Sequence, residues 1–389
     1  MQPTGVLETS KATNPLKALL GYGQSMWLDY IRRDLLTSGQ LKTMIEEGGL
    51  RGMTSNPSIF EEAIADSSLY DDILKSLASR NDLDTTARYE QIAIRDIQGA
   101  ADILRPVYES SQFKDGYVSL EVSPLLATKT QETIDEGRRL WKTVNRENVM
   151  IKVPGTAEGL PAIRQLISEG INVNVTLLFA QEVYEKVAEA YILGVEDLAK
   201  RGGNLKKMAG VASFFISRID SLVDSMIDDK LKTADAAQQT LLKSLKGKVA
   251  IANGKLTYQR YQKIFSGPRW EALSSKGART QRVLWASTST KNPAYRDVMY
   301  VEELIGPDTV NTMPPATIDA FRDHGKLRNS LTEDVAGAQK VMDDLAKAGI
   351  SISEVTTKLT NDGVKLFADA FHKLLAVVEK STQTKGKTA

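Results

Sequence analysis

Eight short β-like runs alternate with helix-length amphipathic segments along this chain, and that alternation constrains its fold more than any other feature. The runs fall near 26–30, 51–55, 117–122, 149–153, 171–177, 208–214, 282–287 and 308–312. Helical patterns lie between most of them, clearest at 84–107, 129–143, 157–169, 180–200 and 217–227, and continue after the last run at 315–322, 334–348 and 361–381. Such alternation builds a parallel sheet with helical crossovers, and eight units close that sheet into a barrel. The predicted class is therefore α/β, a (β/α)8 TIM-type barrel with extra helices. The connection from the sixth run to the seventh is unusually long, with helical segments at 234–245 and 256–264 around a Lys246-Gly247-Lys248 break. Its apolar content is too small for a core of its own. Residues of about 228–280 are thus expected to form a helical insertion on the rim of a single barrel domain spanning 15–380. The polar ends, 1–14 and 381–389, are expected to be flexible.

One lysine lies inside an apolar run, Val149-Met150-Ile151-Lys152-Val153, which stops at Pro154-Gly155-Thr156. Burying an ammonium is costly, and burial favours the neutral amine, which attacks carbonyls to form Schiff bases. The Pro-Gly stop puts Lys152 near the strand's C-terminal end, where barrel enzymes carry their chemistry. The competing reading is a lysine whose ammonium snorkels to the strand end and only packs.

Side-chain alternation places further polar groups beside it. In Ile171-Asn172-Val173-Asn174-Val175-Thr176-Leu177 the apolar set faces the helices, while Asn172, Asn174 and Thr176 face the barrel interior. In the third run Ser119, Glu121 and Ser123 share the inner face, and in the fourth Met150 and Lys152 do. Asp29, Thr54, Asn56 and Ser213 lie at or just past the ends of their strands. Structural barrel interiors are filled with branched apolar side chains, so six strands aiming polar groups inward indicate a site. The set supplies an amine, two carboxylates for proton transfer, and amides and hydroxyls to hold a polyol. Arg218 begins a helix after the sixth run, and Lys291 follows the seventh; both positions suit a phosphate, though each cation is equally readable as a solvated charge.

Composition narrows the chemistry. The chain has no Cys, which excludes disulfides, thiolate metal sites and cysteine nucleophiles. His324 and His372 are its only histidines, which leaves little basis for a histidine triad or a zinc centre. A net charge of +1 without Lys/Arg blocks gives no reason to expect nucleic acid or a membrane surface as partner. No G-x-G-x-x-G follows a strand and no Walker loop is present. No cofactor and no metal are expected. The first residues carry no signal or transit pattern, so the cytoplasm is the expected compartment.

The motifs Thr54-Ser55-Asn56-Pro57-Ser58, Glu121-Val122-Ser123-Pro124, Ile151-Lys152-Val153-Pro154-Gly155-Thr156 and Asn172-Val173-Asn174-Val175-Thr176-Leu177 together resemble those of the transaldolases, in the longer variety with extra helices. The resemblance runs from about 15 to 379. It implies a class I, Schiff-base transferase. Such an enzyme moves dihydroxyacetone from sedoheptulose 7-phosphate to glyceraldehyde 3-phosphate, giving erythrose 4-phosphate and fructose 6-phosphate in the pentose phosphate pathway, as a monomer or homodimer. Lys152 matches the Schiff-base lysine, Asp29 the acid/base, and Glu121 with Thr176 the pair that holds the catalytic water. Asn56, Asn174 and Ser213 match groups around the dihydroxyacetone unit, Phe215 an aromatic of the pocket, and Arg218 a phosphate ligand. The family's second phosphate cation is commonly Arg in Ser-Phe-Arg-Asn; here Ser289-Thr290-Lys291-Asn292 is the nearest match. Two alternatives compete: a fructose 6-phosphate aldolase on the same scaffold, and a non-catalytic sugar-phosphate-binding barrel.

Overall fold

A computed structural model describes residues 14–65 and 67–386. Eight parallel strands pair in sequence order and close on themselves: β1 Gln24–Asp29, β2 Gly52–Thr54, β3 Tyr117–Glu121, β4 Val149–Pro154, β5 Val173–Leu178, β6 Gly210–Phe215, β7 Arg282–Ala286 and β8 Thr309–Met313. Most strands are buried along their length, as expected where helices cover one face and the barrel interior the other. The (β/α)8 expectation holds. β1 meets β8 in register from Gln24 opposite Thr309 to Leu28 opposite Met313.

The barrel's lower half is plugged. Trp27 fills the space above Gly52, where a Cβ would lie 2.5 Å from the indole. Below it, Arg282 reaches across from β7 to donate to Ser25 Oγ at 2.8 Å and to Asp115 Oδ1 at 2.8 Å. Burial alone would raise the Asp115 carboxyl; Arg282, Ser25 and Arg51 together overcome that and hold it below the ordinary range. The N-terminal end of the barrel is thereby filled by packed and ion-paired side chains.

The long connection after β6 forms Ala236–Leu245, Val249–Ile264 and Pro268–Ser274. Asp235 and Gln238 make a capping box that starts the first of these. Val249, Ala250, Tyr258 and Trp270 are buried in a hydrophobic core continuous with the barrel's. The last helix, Ile352–Gly386, runs through 381–386, where a flexible tail was expected; Thr382 is buried and its hydroxyl donates to the Val378 carbonyl at 3.0 Å. Residues 1–13 and 387–389 of the expected flexible ends lie outside the described residues, while Asn14 caps the first short helix by accepting from Leu16 N.

β5 breaks the expected alternation. It starts at Val173 rather than 171, and its register with β6 shifts between Val175 and Leu178. Leu177 takes a left-handed φ of 62°, costly for a branched side chain. Instead of continuing the outward set, it packs against Gly363 of the last helix.

Candidate active site

Three strands contribute one row of side chains at the mouth. Glu121 on β3 is the register partner of Lys152 on β4, and Lys152 is that of Asn174 on β5. The Lys152 and Glu121 side chains are each 6 % exposed, with Nζ 3.2 Å from Oε2. Lys152 also donates to the Ser55 carbonyl at 3.1 Å. Its surroundings thus differ from the apolar burial expected of the run: the amine has both a carboxylate and a carbonyl. Burial pushes the Glu121 carboxyl up, and Lys152 opposes that shift.

The row continues by hydrogen bonds. Asn174 Nδ2 donates to Ser119 Oγ at 2.9 Å, and Ser213 Oγ donates to Asn174 Oδ1 at 2.7 Å. This chain fixes the amide's orientation. Asp29, at the end of β1, accepts from Thr54 Oγ1 at 2.7 Å, and that hydroxyl is also 2.7 Å from Thr312 Oγ1. Burial raises the Asp29 carboxyl, against the pull of Lys152, the Thr54 hydrogen bond and Lys291. A carboxyl moved towards neutrality suits proton transfer.

Two buried atoms at this level have no hydrogen-bond partner among the described residues: Glu121 Oε2 and Thr176 Oγ1. Lys152 is within ion-pair distance of Oε2 without the alignment of a hydrogen bond. Orphaned polar groups of this kind mark places where a ligand or water supplies the missing partner. Asn56 Oδ1 accepts from Ile59 N and so anchors the start of the helix Pro57–Ala65, with the residue lining the same cavity as Ser55 and Glu121.

Towards the β6–β7 side, Phe215 packs at a tilt against Phe179, 5.2 Å between centroids, and the Arg218 guanidinium lies 5.4 Å over the Phe215 ring. Arg218 sits in the first turn of the helix Ser217–Leu231. Burial lowers its pKa, and a partly enclosed guanidinium at a helix start is a suitable partner for an anion. Lys291 is exposed, donates to Ser289 Oγ at 2.8 Å, and is near enough for its charge to act on Asp29.

Two residues placed on the inner face do other work. Asn172 laces the strand bases together, donating to the Glu147 and Val149 carbonyls and accepting from Ala209 N. Ser123 lies past the end of β3 and caps the short turn Pro124–Leu126. Conversely, Phe367 of the last helix has its ring centroid 5.5 Å from Lys152 Nζ, a contact that no strand pattern signals.

Fold and site together define a β/α-barrel protein with an ion-paired lysine at the C-terminal mouth, ringed by carboxylates, amides and hydroxyls. The family model for transaldolase/fructose-6-phosphate aldolase matches residues 26–378. Proteins named transaldolase are similar along nearly their whole length. That of Trichodesmium erythraeum is 50% identical, covering 95% of this chain and 98% of its own; that of Frankia alni is 44% identical, covering 96% and 99%. A Nostoc protein named transaldolase 2 is 49% identical, covering 95% and 97%. The chain belongs to the transaldolase/fructose-6-phosphate aldolase family.

Proposed function

We propose that this protein is a transaldolase, transferring a dihydroxyacetone unit from sedoheptulose 7-phosphate to glyceraldehyde 3-phosphate. The observation that carries the reading is the register row Glu121–Lys152–Asn174, which gives one buried amine both a carboxylate and an oriented amide. Lys152 attacks C2 of the ketose. Glu121 Oε2 and Thr176 Oγ1 hold the water that leaves when the imine forms and returns when it is hydrolysed. Asp29 takes the C4 hydroxyl proton as the C3–C4 bond breaks, and the bonding electrons flow into the imine, leaving an enamine. That electron sink makes a metal unnecessary. Asn174 and Ser213, with Asn56 Nδ2, hold the three-carbon unit's hydroxyls; Phe215 walls the pocket. The second aldehyde then takes up the enamine, Asp29 returns the proton, and hydrolysis frees fructose 6-phosphate.

Arg218 binds the substrate phosphate, with Lys291 as the second cation, a point charge where the family commonly has the guanidinium fork. Sugar phosphates are charged and do not cross bilayers, so we place the reaction in the cytoplasm; among the described residues no helix is long and apolar enough to cross a membrane.

Borohydride reduction in the presence of fructose 6-phosphate, followed by peptide mass mapping, tests the mechanism. A reduced three-carbon adduct is expected on Lys152 and none on a Lys152→Ala protein. An adduct on another lysine, or turnover by Lys152→Ala, would overturn it. The family also contains aldolases that release dihydroxyacetone, and cleavage of fructose 6-phosphate without an acceptor distinguishes the two activities.

A further inference from the structure

The last helix packs against β5, against the helix after β2 and against the turn after β3, so it crosses the edge of the reaction mouth. Its inward residues recur at helical spacing: Leu359, Gly363, Phe367, Phe371 and Leu374. Gly363 rests on Leu177, where a Cβ would come 2.9 Å from Leu177 Cδ2. Phe371 meets Tyr89 edge-on at 5.9 Å. Phe367 lies between these anchors. Phe371 and Leu374 are buried in the protein body, whereas Phe367 stays partly open and faces Lys152. The left-handed bulge at Leu177 thus provides a seat for the helix one residue after Thr176.

Carbon atoms pack at about 3.5–4.0 Å, so a substrate carbon bonded to Nζ would come within contact range of a ring centred 5.5 Å away. The amine's direct partners are polar, the Glu121 carboxylate and the Ser55 carbonyl. We infer that Phe367 is a specificity-determining residue, whose ring shields the lysine-bound enamine from solvent proton donors and so favours transfer over release. The inference rests on the Schiff-base reading of Lys152.

Release of dihydroxyacetone from the enamine takes two steps. A proton adds to C3, drawing on the enamine electrons and leaving an iminium. Water then adds to C2 and the C–N bond breaks, its electron pair staying on nitrogen, to give free dihydroxyacetone and the protonated amine. Hydrolysis at C2 also ends the productive cycle, so water at C2 cannot be what separates the two outcomes. Protonation at C3 is the branch point, because in transfer that carbon bonds to the incoming aldehyde instead. An apolar ring against this unit denies C3 a proton, while an aldehyde held by its phosphate still has access.

The test compares the parent with Phe367→Ala, Phe367→Leu and Leu374→Ala. Each is assayed for dihydroxyacetone release from fructose 6-phosphate alone and for transfer from fructose 6-phosphate to erythrose 4-phosphate. In Phe367→Ala the ratio of release to transfer is expected to rise about tenfold or more, with Phe367→Leu between. Each dihydroxyacetone released in D2O should carry solvent deuterium at the carbon that was C3, which checks that release runs through protonation of the enamine. Leu374→Ala, which loosens the same helix away from the mouth, should lower the melting temperature and leave the ratio unchanged. An unchanged ratio in Phe367→Ala, or an equal rise in Leu374→Ala, would overturn the inference. Borohydride trapping on the same samples separates the two failures. If the parent traps at Lys152 and the ratio does not move, only the role of Phe367 falls; if the parent does not trap, the Schiff-base reading falls first.

Discussion

Lys152 and Glu121 face each other across the β3–β4 ladder as register partners, with Nζ and Oε2 3.2 Å apart and both side chains almost wholly enclosed. Neighbouring strands in a ladder are about 4.8 Å apart, so a shared register position holds two long side chains together without a loop to order. In the proposed mechanism the amine therefore keeps its carboxylate beside it through the covalent steps, both groups being set on paired strands of the barrel.

In the proposed mechanism Asp29 governs bond cleavage. Asp29→Asn should still form the borohydride adduct at Lys152, while transfer falls by roughly two or more orders of magnitude. Cleavage needs the ionised carboxylate, and burial has raised this carboxyl. The parent's kcat/KM for the ketose should therefore fall as pH drops through a value above the ordinary carboxylate range, and that acidic limb should vanish in the variant. Stopped-flow transfer assays across pH check both outcomes.

Arg218 and Lys291 are expected to contribute unequally. Losing a charge-assisted contact removes roughly 1.5–3 kcal/mol, so Arg218→Ala should raise KM for phosphorylated sugars about tenfold or more, with less effect on dihydroxyacetone as donor. Lys291→Ala should act the same way more weakly, because an ammonium lacks the fork. Equal discrimination between phosphorylated and free acceptors in the parent and in Lys291→Ala would leave Lys291 as a surface charge.

The plug below the site is a stability element. In Asp115→Asn the buried Arg282 loses its counter-charge, and breaking a buried pair this way costs about 3–5 kcal/mol. Asp115 and Arg282 are only 2% and 6% exposed, so solvent cannot compensate. Denaturant titration should show that loss, with KM for fructose 6-phosphate unchanged in the protein that remains folded.

Asp220 gives stability a pH dependence. It is buried beneath Ala250 N and Tyr300 Oη, at 2.8 and 2.9 Å, and burial pushes its carboxyl up to about 7. A raised folded-state pKa means that the folded form binds the proton more tightly than the unfolded chain does. The resulting stabilisation is complete below about 3.9, the unfolded value, and is lost as pH rises towards 7. Asp220→Asn should flatten part of this decline. Asp29, Glu121, Asp96 and Glu136 are also raised by burial and keep the remainder. Melting temperatures between about pH 5 and about pH 8 measure the difference.

Much of this was legible in the sequence because a barrel strand writes its faces in alternate letters. Glu121, Lys152 and Asn174 could be assigned to one interior from parity alone and Ser213 from its place at a strand end, and the structure joins them by register and hydrogen bonds. Parity says nothing about height along a strand, so Asn172 looked equivalent to Asn174 although it ties the strand bases together. Nor does it detect a bulge, since one left-handed residue at Leu177 resets the count. Ser123 was misread because the strand had already ended two residues earlier. Phe367 was out of reach for a different reason. Its helix has a clear apolar stripe, but a stripe does not state which surface it covers.

The ring of strands also bears on how the site comes into being. Asp29 is held by Thr54, and Thr54 by Thr312, which lies 258 residues further along the chain on the strand that pairs back to the first. Asp29 therefore sits at the seam where the two ends of the barrel meet. Contacts so distant in sequence form late, after much loop entropy has been lost. A nascent chain on the ribosome, or a fragment ending before β8, can hold the lysine and its carboxylate on neighbouring strands and still lack Thr312, which braces the Thr54 hydroxyl that Asp29 accepts from. Synthesis must reach the last strand before the hydrogen-bonded chain from Thr312 through Thr54 to Asp29 is complete, so a half-made chain holds this carboxyl without its outer brace.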